Sequence, residues 1–147
     1  MRELSPQAFD ALTESQQVRH LANLGLRDLP SGDATDESRR CLNEISAMLD
    51  EDNPLRGSAA PIPTRHAALA FDATAELECL AMRLRKDLGD ESLEAIDYSL
   101  RMQMISAVKR ICRLNSIAMS AITCDGRDFD DMHFEMHGEP AREVSHA

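Results

Sequence analysis

One long stretch of helical pattern, from Thr64 to Ile122, constrains this chain more than any other feature. Within it apolar residues recur at spacings of three and four, which is the period of one face of an α-helix. The pattern breaks at Gly89-Asp90, where Gly89 can end one helix and Asp90 can cap the next. The stretch therefore predicts a long antiparallel helical hairpin with arms at about 64–88 and 91–122.

The second arm carries two adjacent apolar stripes, which is more apolar surface than one antiparallel neighbour covers. Such a helix belongs at the centre of a bundle or against a symmetry mate. We expect a homodimer in which the second stripe meets its own copy. The residues of that predicted interface are Ile105, Val108, Cys112, Asn115, Met119 and Ile122.

Asn115 is the one polar residue within that stripe. A polar group in such a position often fixes the register and the oligomeric state at some cost in stability. The alternative is that Asn115 lies at the solvated margin of the stripe. The turn also predicts a register: residues equally distant from Gly89-Asp90 face each other, which places Glu78 beside Arg101.

The N-terminal third contains further helix signals. Ser5-Pro6 is an N-cap followed by proline, Thr13 and Gln16 fit a capping box, and Gly25 can end a helix. With the apolar pattern of Cys41–Leu49, these signals predict helices at about 6–11, 14–24 and 35–50.

The chain divides into four parts by composition. The Pro-, Gly- and Ser-rich residues 52–63 are a linker, and the acid-rich residues after Thr123 have no helical period. The predicted fold is therefore all-α, a helical bundle in which one or two N-terminal helices pack on the hairpin. Its parts are N-terminal helices at 1–51, the linker at 52–63, the hairpin at 64–123 and a mostly disordered acidic tail at 124–147.

The tail contains one pattern that is typical of metal ligands. In a helix, His133 and His137 lie one turn apart and can chelate a divalent metal, with Glu135 as a further ligand. This is not the H-E-x-x-H of metalloproteases, because the Glu stands at the wrong position. The alternatives are a polar tail without a site, or an extended segment docked by its Met and Phe residues.

Basic residues gather at one end of the predicted hairpin. Arg65 and His66 begin the first arm, and the hairpin brings them near Lys109, Arg110 and Arg113. This cluster predicts a dock for an anionic partner or for the chain's own acidic tail. The alternative is an ordinary solvated helix face, as charge runs usually are.

The charge of the chain and its cysteine spacing exclude several classes of partner and favour one location. A net charge of −10 argues against nucleic acid and anionic membrane as partners. No run of ~18 apolar residues and no apolar leader at the start are visible, and the four widely spaced cysteines favour a reduced, cytoplasmic protein.

No nucleotide-binding, nucleophile or di-iron motif occurs, so no cofactor is expected. We expect a non-enzymatic, helix-mediated interaction or regulatory protein that acts as a homodimer. A metal-binding protein that uses His133, Glu135 and His137 is the alternative.

Overall fold

The computed structural model describes residues 3–51, 62–89, 91 and 95–141. In these ranges the chain forms six helices and no strand. The helices are α1 (Pro6–Asp10), α2 (Glu14–Asp28), α3 (Asp33–Met48), α4 (Thr64–Leu88), α5 (Tyr98–Thr123) and α6 (Phe129–His137). The predicted all-α helical bundle is confirmed.

The N-terminal helices begin where the sequence places their caps. The Ser5 side chain accepts a hydrogen bond from the Ala8 amide, and Thr13 and Gln16 form the complete capping box. Gly25 does not end α2, contrary to expectation, because α2 continues to Asp28. A Cβ on Gly25 would lie only 3.0 Å from Leu77 Cδ2, so the glycine allows α2 and α4 to approach closely.

Two antiparallel hairpins, α2–α3 and α4–α5, form a four-helix bundle. α2 packs against α3 and α4, and α5 packs against α3 and α4. Asp28 at the end of α2 pairs with Arg85 near the end of α4, so those two neighbours run in the same direction. Consequently α3 and α5 are also parallel neighbours, and one hydrophobic core joins the N-terminal helices to the hairpin.

The two apolar stripes of α5 meet two different helices of the same chain. One stripe faces α4, and the other faces α3, where Asn115 Nδ2 donates to the Ser38 carbonyl at 3.1 Å. Val108, Asn115 and Ile122 are buried within the chain. The second stripe therefore needs no symmetry mate over the length that α3 covers.

The turn of the hairpin differs from the prediction. α5 begins at Tyr98, with Asp97 as its N-cap, so the connection is longer than Gly89-Asp90. Asp90 itself and residues 92–94 lie outside the described residues, as does most of the linker (52–61). The longer connection moves the register by about two helical turns. Arg110, rather than Arg101, is the residue of α5 that pairs with the α4 acids.

A buried carboxylate joins α2 to the end of α4. Asp28 is 3% exposed and accepts hydrogen bonds from Arg27 and from Arg85 Nη1 at 2.7 Å. The Arg27 guanidinium, assisted by Arg85, lowers the pKa of Asp28 to about 2. Burial, and then the neighbouring Asp28, raise the pKa of Glu78, which faces this network instead of Arg101.

The expected disorder after Thr123 is wrong for α6. Asp128 caps this helix by accepting from the Asp131 amide, and Gly138 ends it with a positive φ of 72°. The tail folds here because Met132 and Met136, one turn apart, are buried against the hairpin. The last part of the predicted tail, residues 142–147, lies outside the described residues.

Candidate functional site

A groove follows the outer side of the contact between α4 and α5. On α4 its residues recur every three or four positions, so they form one helical face. That face consists of Arg65, Leu69, Asp72, Glu76, Leu80, Arg83 and Asp87. The matching face of α5 consists of Gln103, Ala107, Arg110, Leu114, Ile117 and Ala121.

The helix α6 fills one half of this groove, which we call the covered half (Arg65–Glu76 and Arg110–Ala121). Met132 is fully buried and Met136 is 9% exposed. Phe129 at the start of α6 lies by Arg65, and His137 at its end lies by Asp72. Therefore α6 runs in the same direction as α4 and seats two methionines in the groove.

Arg110 fastens the C-terminal end of α6. Its guanidinium donates to the Glu135 and Met136 carbonyls at 3.1 and 2.9 Å, and also to both carboxylate oxygens of Glu76. Cations bind favourably at a helix C-terminus because the carbonyls there are unpaired. The Glu76 carboxylate raises the pKa of Arg110 above its ordinary value, so the clamp stays charged.

Arg65 and His66 hold the other end of α6 through Phe129. The Arg65 guanidinium carbon lies 4.4 Å from the Phe129 ring centre, a cation–π contact, and the His66 ring centre lies at 5.1 Å. Burial, and then the charge of Arg65, lower the pKa of His66. His66 Nδ1 is buried without a partner among the described residues.

Of the five residues predicted as a dock, three contact the chain's own acidic segment. Arg65, His66 and Arg110 bind α6, but through an aromatic ring and backbone carbonyls rather than through its carboxylates. Lys109 and Arg113 are exposed on α5. The dock that the sequence indicates for an anionic partner is thus partly filled by α6.

The predicted metal ligands do not converge. His133 and His137 have ring centres 4.5 Å apart, as one helical turn requires. However, Glu135 pairs with Arg127, and His137 Nε2 lies 3.4 Å from Asp72. Within the described ranges, no three His, Cys, Asp or Glu side chains are arranged to hold a metal ion.

The other half of the groove is not filled by any described residue; we call it the open half (Leu80–Asp87 and Leu100–Ala107). It encloses about 310 Å³. Leu84 and Met104 are buried at its floor, and Leu80, Leu100 and Ala107 line it half-buried. Its apolar floor continues the surface on which α6 sits.

The rim of the open half carries charges of both signs. Its two segments, Leu80–Asp87 and Leu100–Ala107, contain four bases and one acid, and one of these bases, Arg85, pairs with Asp28 outside the groove. Arg83 lines the groove itself, together with Asp87 and the polar Gln103 and Ser106. By contrast, α6 contains three acids and no Lys or Arg.

Three of the predicted dimer residues line a separate cavity between α3 and α5. Cys112, Asn115 and Met119 border this space of about 310 Å³. Cys112 Sγ lies 3.4 Å from Ser38 Oγ. Asn115 Oδ1 is buried with no partner in the described part of the chain. Asn115 thus bridges α3 and α5 within one chain.

Sequence reasoning missed α6 and the groove that it half fills. The signals were present: Asp128 is a good N-cap, acids occupy the first turn, and Gly138 follows His137. They were overlooked because an acid-rich segment is typical of a disordered tail. The open half could not be located, because its position depends on the α4–α5 register.

No protein-family model, no curated protein and no solved structure matches the chain. Among the described residues, no helix is long and apolar enough to span a bilayer.

Proposed function

We propose that this chain is a non-enzymatic protein-interaction protein that binds a helix of another protein in the open half of the α4–α5 groove. The observation that supports this proposal most is α6 itself. The covered half of the same groove already holds a short helix by burying Met132 and Met136. The open half has a similar apolar floor, which suits an amphipathic helix laid into a groove.

The dimensions of the open half match a short helical segment. Leu80–Asp87 spans roughly 10–12 Å at ~1.5 Å per residue, or about two turns. Apolar residues at positions i and i+4 of a ligand helix would reach Leu84 and Met104, as Met132 and Met136 reach the covered half. The polar residues at its edges keep the rim of the open half hydrated when no ligand is bound.

The homodimer stays a prediction. Val108, Asn115 and Ile122 are buried in the single chain, so an interface would need other residues. Tyr98, which is 74% exposed, and the half-buried Ile105 lie where the second stripe extends beyond α3. Light scattering decides: a mass of two chains supports self-association, and a mass of one chain excludes it as the working state.

The remaining expectations are also proposals. Four unpaired cysteines suit a reducing compartment such as the cytoplasm. Metal binding by the α6 histidines has less support than helix binding, because Glu135 is engaged by Arg127.

A selection from a helical peptide library tests the proposed function. A library without charge bias is selected on the full chain, and binders are measured on Ala107→Trp and Met102→Trp. The first variant fills the open half, and the second places the same ring on the opposite, exposed face of α5. We expect Ala107→Trp to weaken binding at least about tenfold and Met102→Trp to leave it unchanged. Binders that ignore Ala107→Trp, or no binders at all, would exclude this function.

A further inference from the structure

Two cysteines border the cavity between α3 and α5. Cys41 comes from α3 and Cys112 from α5, and both line this space of about 310 Å³. Cys41 is half-buried, and Cys112 is exposed. The other two cysteines lie elsewhere, Cys79 on α4 and Cys124 at the end of α5. The fold therefore brings two thiols from distant parts of the sequence to one cavity.

The two sulfurs lie at the same level of α3. Cys112 Sγ lies 3.4 Å from Ser38 Oγ, so the sulfur of α5 contacts α3. The Cys41 thiol donates to Glu37 Oε1 at 3.9 Å, which directs its sulfur toward the preceding turn, as is usual for helical side chains. Glu37 and Ser38 are adjacent and line the cavity as well. Both sulfurs therefore lie beside Glu37 and Ser38 and border the same space.

The surroundings of the two thiols differ. Burial, and then the charges of Glu37 and Glu44, raise the pKa of the Cys41 thiol. The Cys112 thiolate adds to this rise in pKa, as a neighbouring negative charge does. Since the thiolate is the reactive form, Cys41 reacts slowly with an oxidant on its own. Cys112 is exposed, so a small oxidant in solution reaches it directly.

We propose that Cys41 and Cys112 are a redox modification site, at which hydrogen peroxide forms a reversible disulfide between α3 and α5. Disulfides of reducing compartments are usually transient ones of this kind. The site is independent of the proposed helix binding, because the open half lies between α4 and α5 and shares no lining residue with this cavity.

The reaction has two steps. The Cys112 thiolate attacks one oxygen of hydrogen peroxide and breaks the O–O bond, which gives a sulfenic acid and a hydroxide that takes up a proton to become water. The Cys41 sulfur then attacks the Cys112 sulfur and breaks the S–O bond, and the thiol proton of Cys41 leaves with the hydroxide as a second water. Two thiols and one peroxide thus give one disulfide and two waters.

Peptide mapping of the full chain tests this site. The reduced chain is treated with one equivalent of hydrogen peroxide at pH 7.5, the remaining thiols are alkylated, and the chain is digested with trypsin without reduction. Trypsin separates the four cysteines into different peptides, with Cys41 in residues 41–56 and Cys112 in residues 111–113. We expect these two peptides to be joined, two of the four thiols to be lost, and dithiothreitol to restore both.

Matched variants identify the partner of Cys112. In Cys41→Ser the joined peptides should be absent, and Cys112 should proceed to the sulfinic acid because no second thiol resolves the sulfenic acid. In the control, which combines Cys79→Ser with Cys124→Ser, the yield of joined peptides should equal that of the wild type. In urea the selectivity should disappear, because the shorter loop between Cys112 and Cys124 closes more readily in an unfolded chain.

The contrary outcomes are equally distinct. Cys112 joined to Cys79, to Cys124 or to a second chain would overturn the proposal, and so would a Cys112 sulfinic acid in the wild type beside an intact Cys41 thiol. A chain whose thiols all survive the peroxide would overturn it too. A disulfide requires Cα atoms within about 4.4–6.8 Å, so failure to join would show that α3 and α5 do not approach that closely at this level.

Discussion

The two halves of α5 are of equal length, yet eight residues of 111–123 are buried and only two of 98–110. The C-terminal half lies among α3, α4 and α6. The N-terminal half extends beyond the start of α3 and beyond α6, so it keeps exposed apolar residues such as Tyr98 and Met102. The same helix therefore provides a structural core at one end and an accessible surface at the other.

The two ends are also stabilised by different forces. At the covered end, α6 adds apolar burial through Met132 and Met136. Near the C-terminal end of α4, an ion-pair network around Asp28 joins α2 to α4. Burial tolerates changes of salt and pH, whereas the network responds to both. The predictions below change one end at a time.

The largest effect is expected from Met132→Asp, which should make the covered half resemble the open one. A charge at this fully buried position should cost the docking of α6 about 3–4 kcal/mol. Hydrogen exchange at the α6 amides should become fast while the four-helix bundle persists. Phe134→Asp adds the same charge at a position that is 57% exposed and is the control. Equal exchange rates in the two variants would show that α6 is not held by its methionines.

A smaller loss, about 1–2 kcal/mol, is expected from Asp28→Asn, because the partner Arg85 is exposed and regains water. Glu37→Gln breaks an exposed pair with Arg40 and should leave the midpoint of urea unfolding almost unchanged. Similar midpoints for the two variants would contradict the buried network.

The network also predicts an acid dependence. The folded pKa of Asp28, about 2, lies below its ordinary value of 3.8, so its carboxylate stabilises the fold above pH 4. That contribution is lost as the pH falls from about 4 to 2. Urea unfolding at pH 5 and at pH 2.5 should therefore differ more in the wild type than in Asp28→Asn. The raised pKa of Glu78 acts in the opposite sense and makes the net loss smaller.

Substitutions of Asn115 test how the C-terminal half of α5 tolerates a buried polar group. Asn115→Leu removes the bond to Ser38 together with the unpartnered Oδ1, so the stability should change by less than about 1 kcal/mol. Asn115→Asp buries a charge facing a carbonyl and should destabilise by about 2 kcal/mol or more. Thermal unfolding of the pair measures both, and a large loss for Leu would mean that the bond to Ser38 fixes the α3–α5 register.

The smallest effect is expected at His66. The pKa of His66 lies below its ordinary value of 6.5 in the folded chain, so the unfolded chain binds the proton more readily. The neutral His66 ring therefore stabilises the fold above pH 6.5, and this stabilisation is lost on acidification. The melting temperature should fall more between pH 7.5 and pH 5.5 in the wild type than in His66→Gln. An equal fall would show that His20, whose pKa is also lowered, carries the dependence.

The sequence predicted where the helices lie better than which helices pack against each other. Two stripes on α5 correctly indicate two packing partners, but the pattern cannot say whether the second is α3 or another copy of the chain. The register was wrong because Gly89-Asp90 has every property of a tight turn, while the effective cap is Asp97. The groove followed neither from composition nor from motifs, since it depends on that register and on the burial of Met132.

The order of the two hairpins along the chain determines how long the apolar face of the first one stays uncovered during synthesis. Contacts such as Asp28 with Arg85 and Ser38 with Asn115 join residues 57 and 77 positions apart. When Met48 has been synthesised, the first hairpin still lacks both helices that cover it, and the last of these ends at Thr123. At ~5–20 residues per second, translation leaves that apolar face uncovered for roughly 4–15 seconds. The first hairpin is thus complete long before the helices that bury its apolar face have been made.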